Sequence, residues 1–173
     1  MMDGELDRRS TRLDDLIQAE RDMLARVGDM PLDLEALVLV SNLHRAVAAI
    51  RREFEQTVLA EVRLSWTAFV VLWVLWVWGE TETRELAKEA SVTKGTLTGV
   101  IDTLEKRGLV QRRRRTSDRR LVTVQLTDPG TLLIADVFPR FNAEERRVAQ
   151  LLTARQRTAM IDGLRRILRE LDG

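Results

Sequence analysis

Arginine is concentrated in one short stretch of this 173-residue chain. Residues 105–120 contain eight basic and two acidic side chains, a local charge of +6, whereas the whole chain carries +1. Such a concentration favours binding to the phosphates of a nucleic acid or to a narrow minor groove. The alternative is a solvated loop that only keeps the protein soluble.

Short polar side chains precede the basic stretch. The polar side of a helix predicted over residues 94–107 presents Thr93, Lys94, Thr96 and Thr98. Hydroxyls and an amine can meet phosphates and base edges in the major groove of DNA. Together with the arginines that follow, these residues predict a surface for double-stranded DNA.

Two helices must position these side chains. The first is predicted over residues 84–90 and capped by Thr83, and the second is the helix over residues 94–107, capped by Thr93. Gly108 is placed to end the second helix, because glycine adopts a left-handed conformation at little cost. The spacing predicts a helix-turn-helix.

A β-hairpin is predicted directly after the second helix. Residues 109–110 and 121–126 are rich in β-branched side chains, and residues 112–120 between them are too charged for a core and are predicted to form a loop. Residues 80–82 could add a short third strand. A helix-turn-helix followed by a basic hairpin is typical of a winged helix.

The segment resembles the winged helix of the multiple-antibiotic-resistance regulator (MarR) family. Three motifs carry this resemblance: the wing pattern Asp118-Arg119-Arg120 followed after five residues by Leu126-Thr127, the end of the recognition helix at 104–110, and its start at 93–98. The resemblance implies a homodimeric transcription factor, commonly a repressor released by a small ligand.

The same resemblance assigns roles to residues of the wing. Arg120 would reach the minor groove, and Asp118 would hold the loop by an ion pair. Arg115 and Arg119 would contact the DNA backbone, and Arg112 belongs to the same predicted DNA-binding set. A dimer would read a pseudo-palindrome whose half-sites lie roughly 10 bp apart.

We therefore expect a mainly α protein with a small β-hairpin wing, in which N- and C-terminal helices build a dimerisation lobe. The predicted segments are an accessory amphipathic helix within residues 1–30, a dimerisation helix within 31–63, the winged helix-turn-helix over 64–127 and C-terminal dimerisation helices over 128–173.

Periodic apolar residues and capping signals predict the individual helices of these segments. The expected ranges are 5–27, 34–60 after the cap Asp33, 64–78 with all four tryptophans, a helix starting at 127–129 and kinked at Pro139, and a last helix opened by a capping box at 153–156.

An aromatic or amphipathic small-molecule effector is expected near His44, Trp66 and Trp73, with Arg112 as a further expected contact. Tryptophans that share a helix face can line an aromatic pocket, although ordinary core packing explains them as well. Urate-responsive relatives in this family sense urate with a set of residues, and of these only the arginine at Arg112 keeps the expected type. The approximate positions of the other members of that set hold Met23, Val70 and Gly99, so urate is not expected.

Composition excludes several other classes of protein. With no cysteine and one histidine, the chain offers no disulfide, no thiol switch and no ordinary zinc site, and we expect neither a metal nor a cofactor. Catalytic pairings of serine or cysteine with histidine are not apparent, so an enzyme is not expected.

The chain is expected in the cytoplasm and away from membranes. Its acidic first residues contain no signal peptide, and the apolar stretch 64–78 is too short to span a bilayer. One alternative function stays open, a winged-helix dimer that binds protein rather than specific DNA.

Overall fold

The computed structural model describes residues 17–28, 30–114 and 122–171, with only the backbone of Arg114. In chain order, the elements are α1 (Gln18–Val27), α2 (Leu34–Gln56), α3 (Val58–Glu61), α4 (Trp66–Trp78), β1 (Thr81–Glu82), α5 (Thr83–Glu89), α6 (Lys94–Lys106), β2 (Val110–Arg114), β3 (Val122–Leu126), α7 (Asp128–Ala149) and α8 (Ala154–Leu171). The mainly helical class with a small sheet is confirmed. The chain forms two compact units, which divide after Ala49.

In the first unit, helix α1 contacts α2 through polar side chains. Glu20 is buried, accepts a hydrogen bond from the backbone N of Ile17 at 2.8 Å, and accepts another from the Asn42 amide. The Ser41 hydroxyl lies 3.6 Å from the Met23 sulfur. The predicted amphipathic helix therefore exists over its last ten residues, while its predicted start lies outside the described residues.

Helix α2 begins where the sequence predicts and ends earlier. Asp33 caps it by accepting a hydrogen bond from Ala36 N at 3.0 Å. The helix stops at Gln56, because Thr57 leaves the helical conformation with φ −107° and ψ −106°. Val58 and Leu59, directly after this break, are both buried. The prediction of one helix as far as residue 60 is wrong in its final turn.

Helix α4 forms the centre of the second unit. Ser65 caps it by accepting a hydrogen bond from Ala68 N at 3.2 Å, and Gly79 ends it at φ 77°. Its buried residues pack against α5, α6, α7 and β3. Trp76 and Trp78 in the last turn are exposed, and Trp66, Val70 and Trp73 are half-buried, so the helix is not buried on all sides.

Four aromatic rings fill one end of this core. Phe54 meets Phe141 edge-on at 4.7 Å, and Phe69 stacks on Phe141 at 4.0 Å. Trp66 joins the group, with its ring centre 6.2 Å from Phe54 and 5.8 Å from Phe141. These rings connect the C-terminal end of α2 with α4 and α7.

The helix-turn-helix consists of α5 and α6. Thr93 caps α6 by accepting a hydrogen bond from Thr96 N at 3.2 Å, and Gly108 follows the helix at φ 69°. The predicted cap of α5 is wrong. Thr83 is the first helical residue, and Glu82 holds the N-cap position without a side-chain hydrogen bond.

The sheet has the strand order β1-β3-β2, and both pairings are antiparallel. Thr81 pairs with Val124, which confirms the third strand predicted near residues 80–82. The arginine run is not all loop, because β2 continues to Arg114, opposite Val122. Backbone pairing with a β-branched strand extends β2 into residues whose charge alone predicted a loop.

The two C-terminal helices begin at the predicted signals. Thr127 caps α7 with Pro129 in its first turn, and the helix continues through Pro139. Thr153 and Gln156 form the predicted capping box of α8, with Thr153 N donating to Gln156 Oε1 at 2.9 Å. Helix α8 contains no buried residue.

Candidate nucleic-acid interface

Helix α6 separates an apolar face from a polar one. Leu97, Ile101 and Leu104 are buried. The exposed side presents all four predicted contact residues, which are Thr93, Lys94, Thr96 and Thr98. The structure therefore places these four side chains together on one accessible surface.

Several threonine hydroxyls of α6 and its cap are engaged in contacts within the helix itself. Thr98 donates to the carbonyl of Lys94 at 2.8 Å, and Thr103 donates to the carbonyl of Gly99 at 2.9 Å. The hydroxyl oxygens of Thr93 and Thr96 lie 3.0 Å apart. Thr98 and Thr103 therefore offer a partner the lone pairs of their oxygens and their methyl groups, whereas Lys94 presents an exposed cation.

Arg112 on β2 points to α6 and binds two carboxylates there. Its Nη2 lies 2.5 Å from Asp102 Oδ1, and its Nη1 lies 2.5 Å from Glu105 Oε2. Nη2 also donates to the Thr98 carbonyl at 3.3 Å, and the backbone N of Arg112 donates to Glu105 Oε1 at 3.1 Å. These bonds join the wing strand β2 to the recognition helix α6.

The pKa of Arg112 is raised above its ordinary value. Desolvation acts to lower this pKa, but the hydrogen bonds and negative charges of Asp102 and Glu105 outweigh it. The guanidinium therefore stays charged at any physiological pH.

Arg112 also lies along a groove between α6 and the sheet, lined by Thr83, Lys94, Leu97, Thr98, Ile101, Asp102, Arg112 and Val122.

The remaining predicted wing contacts lie outside the described residues. These are Arg115, Asp118, Arg119 and Arg120. Their roles stay predictions that rest on the wing motif. The last described pair of the hairpin is Arg114 with Val122.

The predicted effector residues fall in both units. His44 belongs to the first unit and is exposed, whereas Trp66 and Trp73 belong to the second and are half-buried. Trp66 contacts the aromatic rings of Phe54 and Phe141. This contact supports core packing for Trp66, and the effector assignment stays a prediction.

Three residues that matter at this interface were not singled out from the sequence. Asp102 and Glu105 hold Arg112, and Arg107 donates to the carbonyls of Val62 and Arg63 at 2.9 and 2.7 Å. The three-residue spacing of the two carboxylates was a usable signal, because it places them on one side of the helix. The partners of Arg107 lie more than forty residues away and left no local signal.

Comparison with known proteins assigns this arrangement to a family. Residues 64–122 match the profile of the MarR family. The chain is 36% identical over 162 residues to YwaE of Bacillus subtilis, an uncharacterised HTH-type transcriptional regulator, and the match covers 92% of this chain and 95% of YwaE. The chain belongs to the MarR family.

Solved structures of MarR-like regulators have the same fold. Bordetella bronchiseptica BpsR, whose DNA binding is regulated by 6-hydroxynicotinic acid, superimposes with a TM-score of 0.69 at 28% identity, covering 75% of this chain and 97% of BpsR. Streptomyces coelicolor AbsC, a MarR family regulator, has a TM-score of 0.72 at 24% identity, covering 84% of this chain and 99% of AbsC.

Membership of the MarR family makes this protein a DNA-binding transcriptional regulator and not an enzyme. Helices α5 and α6 with the sheet form its winged helix-turn-helix.

No single helix in the described part is long and apolar enough to cross a membrane; only the bent pair Leu34–Glu61 and Trp66–Trp78 reaches that length and composition together.

Proposed function

We propose that this protein is a homodimeric repressor of nearby genes that reads a pseudo-palindromic operator and is released by a small aromatic or amphipathic molecule. The observation that carries the proposal is the exposed polar face of α6 beside the arginine-bearing strand β2. Thr93, Lys94, Thr96 and Thr98 would contact the major groove and its phosphates, and Arg120 would enter the minor groove.

Helix α8 supports the dimer. It has no buried residue, and its exposed apolar side chains are Met160, Ile161, Ile167, Leu168 and Leu171. An apolar groove beside it is lined mainly by side chains of α2, α7 and α8, among them Ile50, Phe54 and Leu164. An apolar stripe of this kind favours a second copy of the same helix, and a two-fold axis is the common symmetry.

BpsR supports the effector, because its DNA binding is regulated by an aromatic acid. In this chain, His44, Trp66 and Trp73 stay the proposed effector residues. Stacking on an indole would suit a flat aromatic molecule. Quenching of tryptophan fluorescence by such acids, together with weaker operator binding in their presence, would support this assignment.

A DNA titration tests the main proposal. The purified protein is titrated with the DNA upstream of its own gene and with a scrambled duplex, at two salt concentrations. Preference for the first duplex and a steep loss of affinity with salt are expected. A folded dimer with equal, weak affinity for both duplexes would contradict operator binding in the upstream DNA and favour the protein-interaction alternative.

Oligomeric state is tested with a matched pair of variants in α8. Leu168→Lys places a charge in the apolar stripe, and Ala159→Lys places the same charge away from it on an exposed position. Sedimentation should show a dimer for the wild type and for Ala159→Lys, and a monomer for Leu168→Lys. A dimeric Leu168→Lys protein would remove α8 from the proposed interface.

A further inference from the structure

Two acidic side chains of the recognition helix α6 need a counter-charge when that helix approaches DNA. Asp102 and Glu105 lie on the same helix as the proposed contact residue Lys94. Carboxylates repel phosphates, and like charges opposed across an interface weaken a complex. Among the described residues, both ion pairs to these carboxylates come from Arg112.

The geometry gives Arg112 little freedom to bind anything else. Each of its terminal nitrogens lies 2.5 Å from a carboxylate oxygen, Nη2 from Asp102 and Nη1 from Glu105. Only 27% of its side chain is exposed. A planar guanidinium fork suits this bridging role, which the compact ammonium of a lysine does not reproduce.

We propose that Arg112 is a positioning residue for DNA binding, which acts through Asp102 and Glu105 by neutralising them and does not contact DNA itself. This inference rests on the proposed operator binding. It gives Arg112 a different role from the direct DNA or effector contact expected from the sequence.

The charges of the three residues define the test. One guanidinium and two carboxylates carry a net charge of −1, and Arg112→Gln changes this to −2 on the DNA-facing helix. We expect operator affinity to fall about tenfold or more. Asp102→Asn and Glu105→Gln added to Arg112→Gln remove every charge of the cluster and should restore affinity to the wild-type level or above.

Arg113→Gln is the matched control. Arg113 is the next residue of β2, its side chain is exposed, and it forms no ion pair among the described residues. The Arg113→Gln variant loses the same positive charge as the Arg112→Gln variant. Asp102 and Glu105 keep their partner Arg112 in the Arg113→Gln protein, so its operator affinity should fall less than that of Arg112→Gln.

Operator affinity is measured by titration across a salt series, with circular dichroism for folding. A triple variant with wild-type affinity and an unchanged slope of log K against log salt supports the proposal. A triple variant that stays weak, with a slope smaller by about one, overturns it, because Arg112 would then neutralise a phosphate. Wild-type affinity of a folded Arg112→Gln protein also overturns it.

A variant that does not fold and a wild-type protein that does not bind the operator are both distinguished from a failure of this proposal. If the Arg112→Gln protein fails to fold, the operator affinity and the salt slope of the charge-free triple variant decide between the two roles of Arg112. If the folded wild-type protein does not prefer the operator, the proposed function fails before Arg112 is tested.

Discussion

Gly130 in the first turn of α7 lies directly against the backbone of Leu109. A Cβ built on Gly130 would lie 2.0 Å from the carbonyl oxygen of Leu109, whereas real Cβ contacts are essentially never under 3.0 Å. The obstacle is backbone, so no side-chain rotation relieves it. Gly130→Ala must therefore move the first turn of α7 away from Leu109 by about 1 Å.

This movement would strain the hydrogen bonds that join the two segments. Thr127 N donates to the Leu109 carbonyl at 3.1 Å, and the Thr127 hydroxyl donates to the Gly108 carbonyl at 2.6 Å. Overpacking costs about 1–3 kcal/mol, and each weakened hydrogen bond costs up to about 1 kcal/mol. The helix propensity of alanine returns up to about 1 kcal/mol. The expected net loss is about 2 kcal/mol.

Thermal unfolding followed by circular dichroism measures this loss. For a chain of this size, about 2 kcal/mol corresponds to a fall in Tm of about 4–8 °C. Gly99→Ala is the control, because its added Cβ would meet no atom within 4 Å beyond the backbone of its own helix, and its Tm should rise by up to about 4 °C. A Gly130→Ala protein that melts at or above the wild-type temperature would refute the steric reasoning.

Three further predictions concern the recognition helix and the wing. Thr93→Ala removes the cap of α6 and should lower the free energy of unfolding by about 1 kcal/mol, measured by urea denaturation. Lys94→Ala should weaken binding to all duplexes alike and reduce the salt slope by about one; a loss confined to one sequence would instead indicate base contact. Arg120→Ala should weaken operator binding most where the minor groove is narrow, and unchanged affinity across A-tract and mixed duplexes would remove the wing assignment.

Local features of the structure were predictable because their causes are local. The cap of α6 joins Thr93 to a residue three positions away, and the capping box of α8 joins Thr153 to Gln156 in the same way. Leu97, Ile101 and Leu104 recur at helical spacing, and all three are buried. The helix-turn-helix and the third strand followed from such signals together with the family motifs.

Predictions failed where packing between distant residues decided the backbone. The break at Thr57 precedes the buried residues Val58 and Leu59 of α3, which packs against α7 far along the chain. Arg112 and Arg113 looked like loop residues by charge, yet they pair with Val124 and Thr123 across the sheet. A strand exists only when its partner is present, and composition does not describe that partner.

The sequence by itself determined most of the helices, the caps of α2, α6, α7 and α8, the basic hairpin and the family, because these depend on spacing within a few residues and on motifs. Only the tertiary structure decided which charges are available at the interface. Arg112 is one cation among many in the sequence, but the packing of β2 on α6 brings Asp102 and Glu105 within 2.5 Å of it. Electrostatic partnership depends on distance in space, and the chain between Glu105 and Arg112 turns through Gly108 to create that distance.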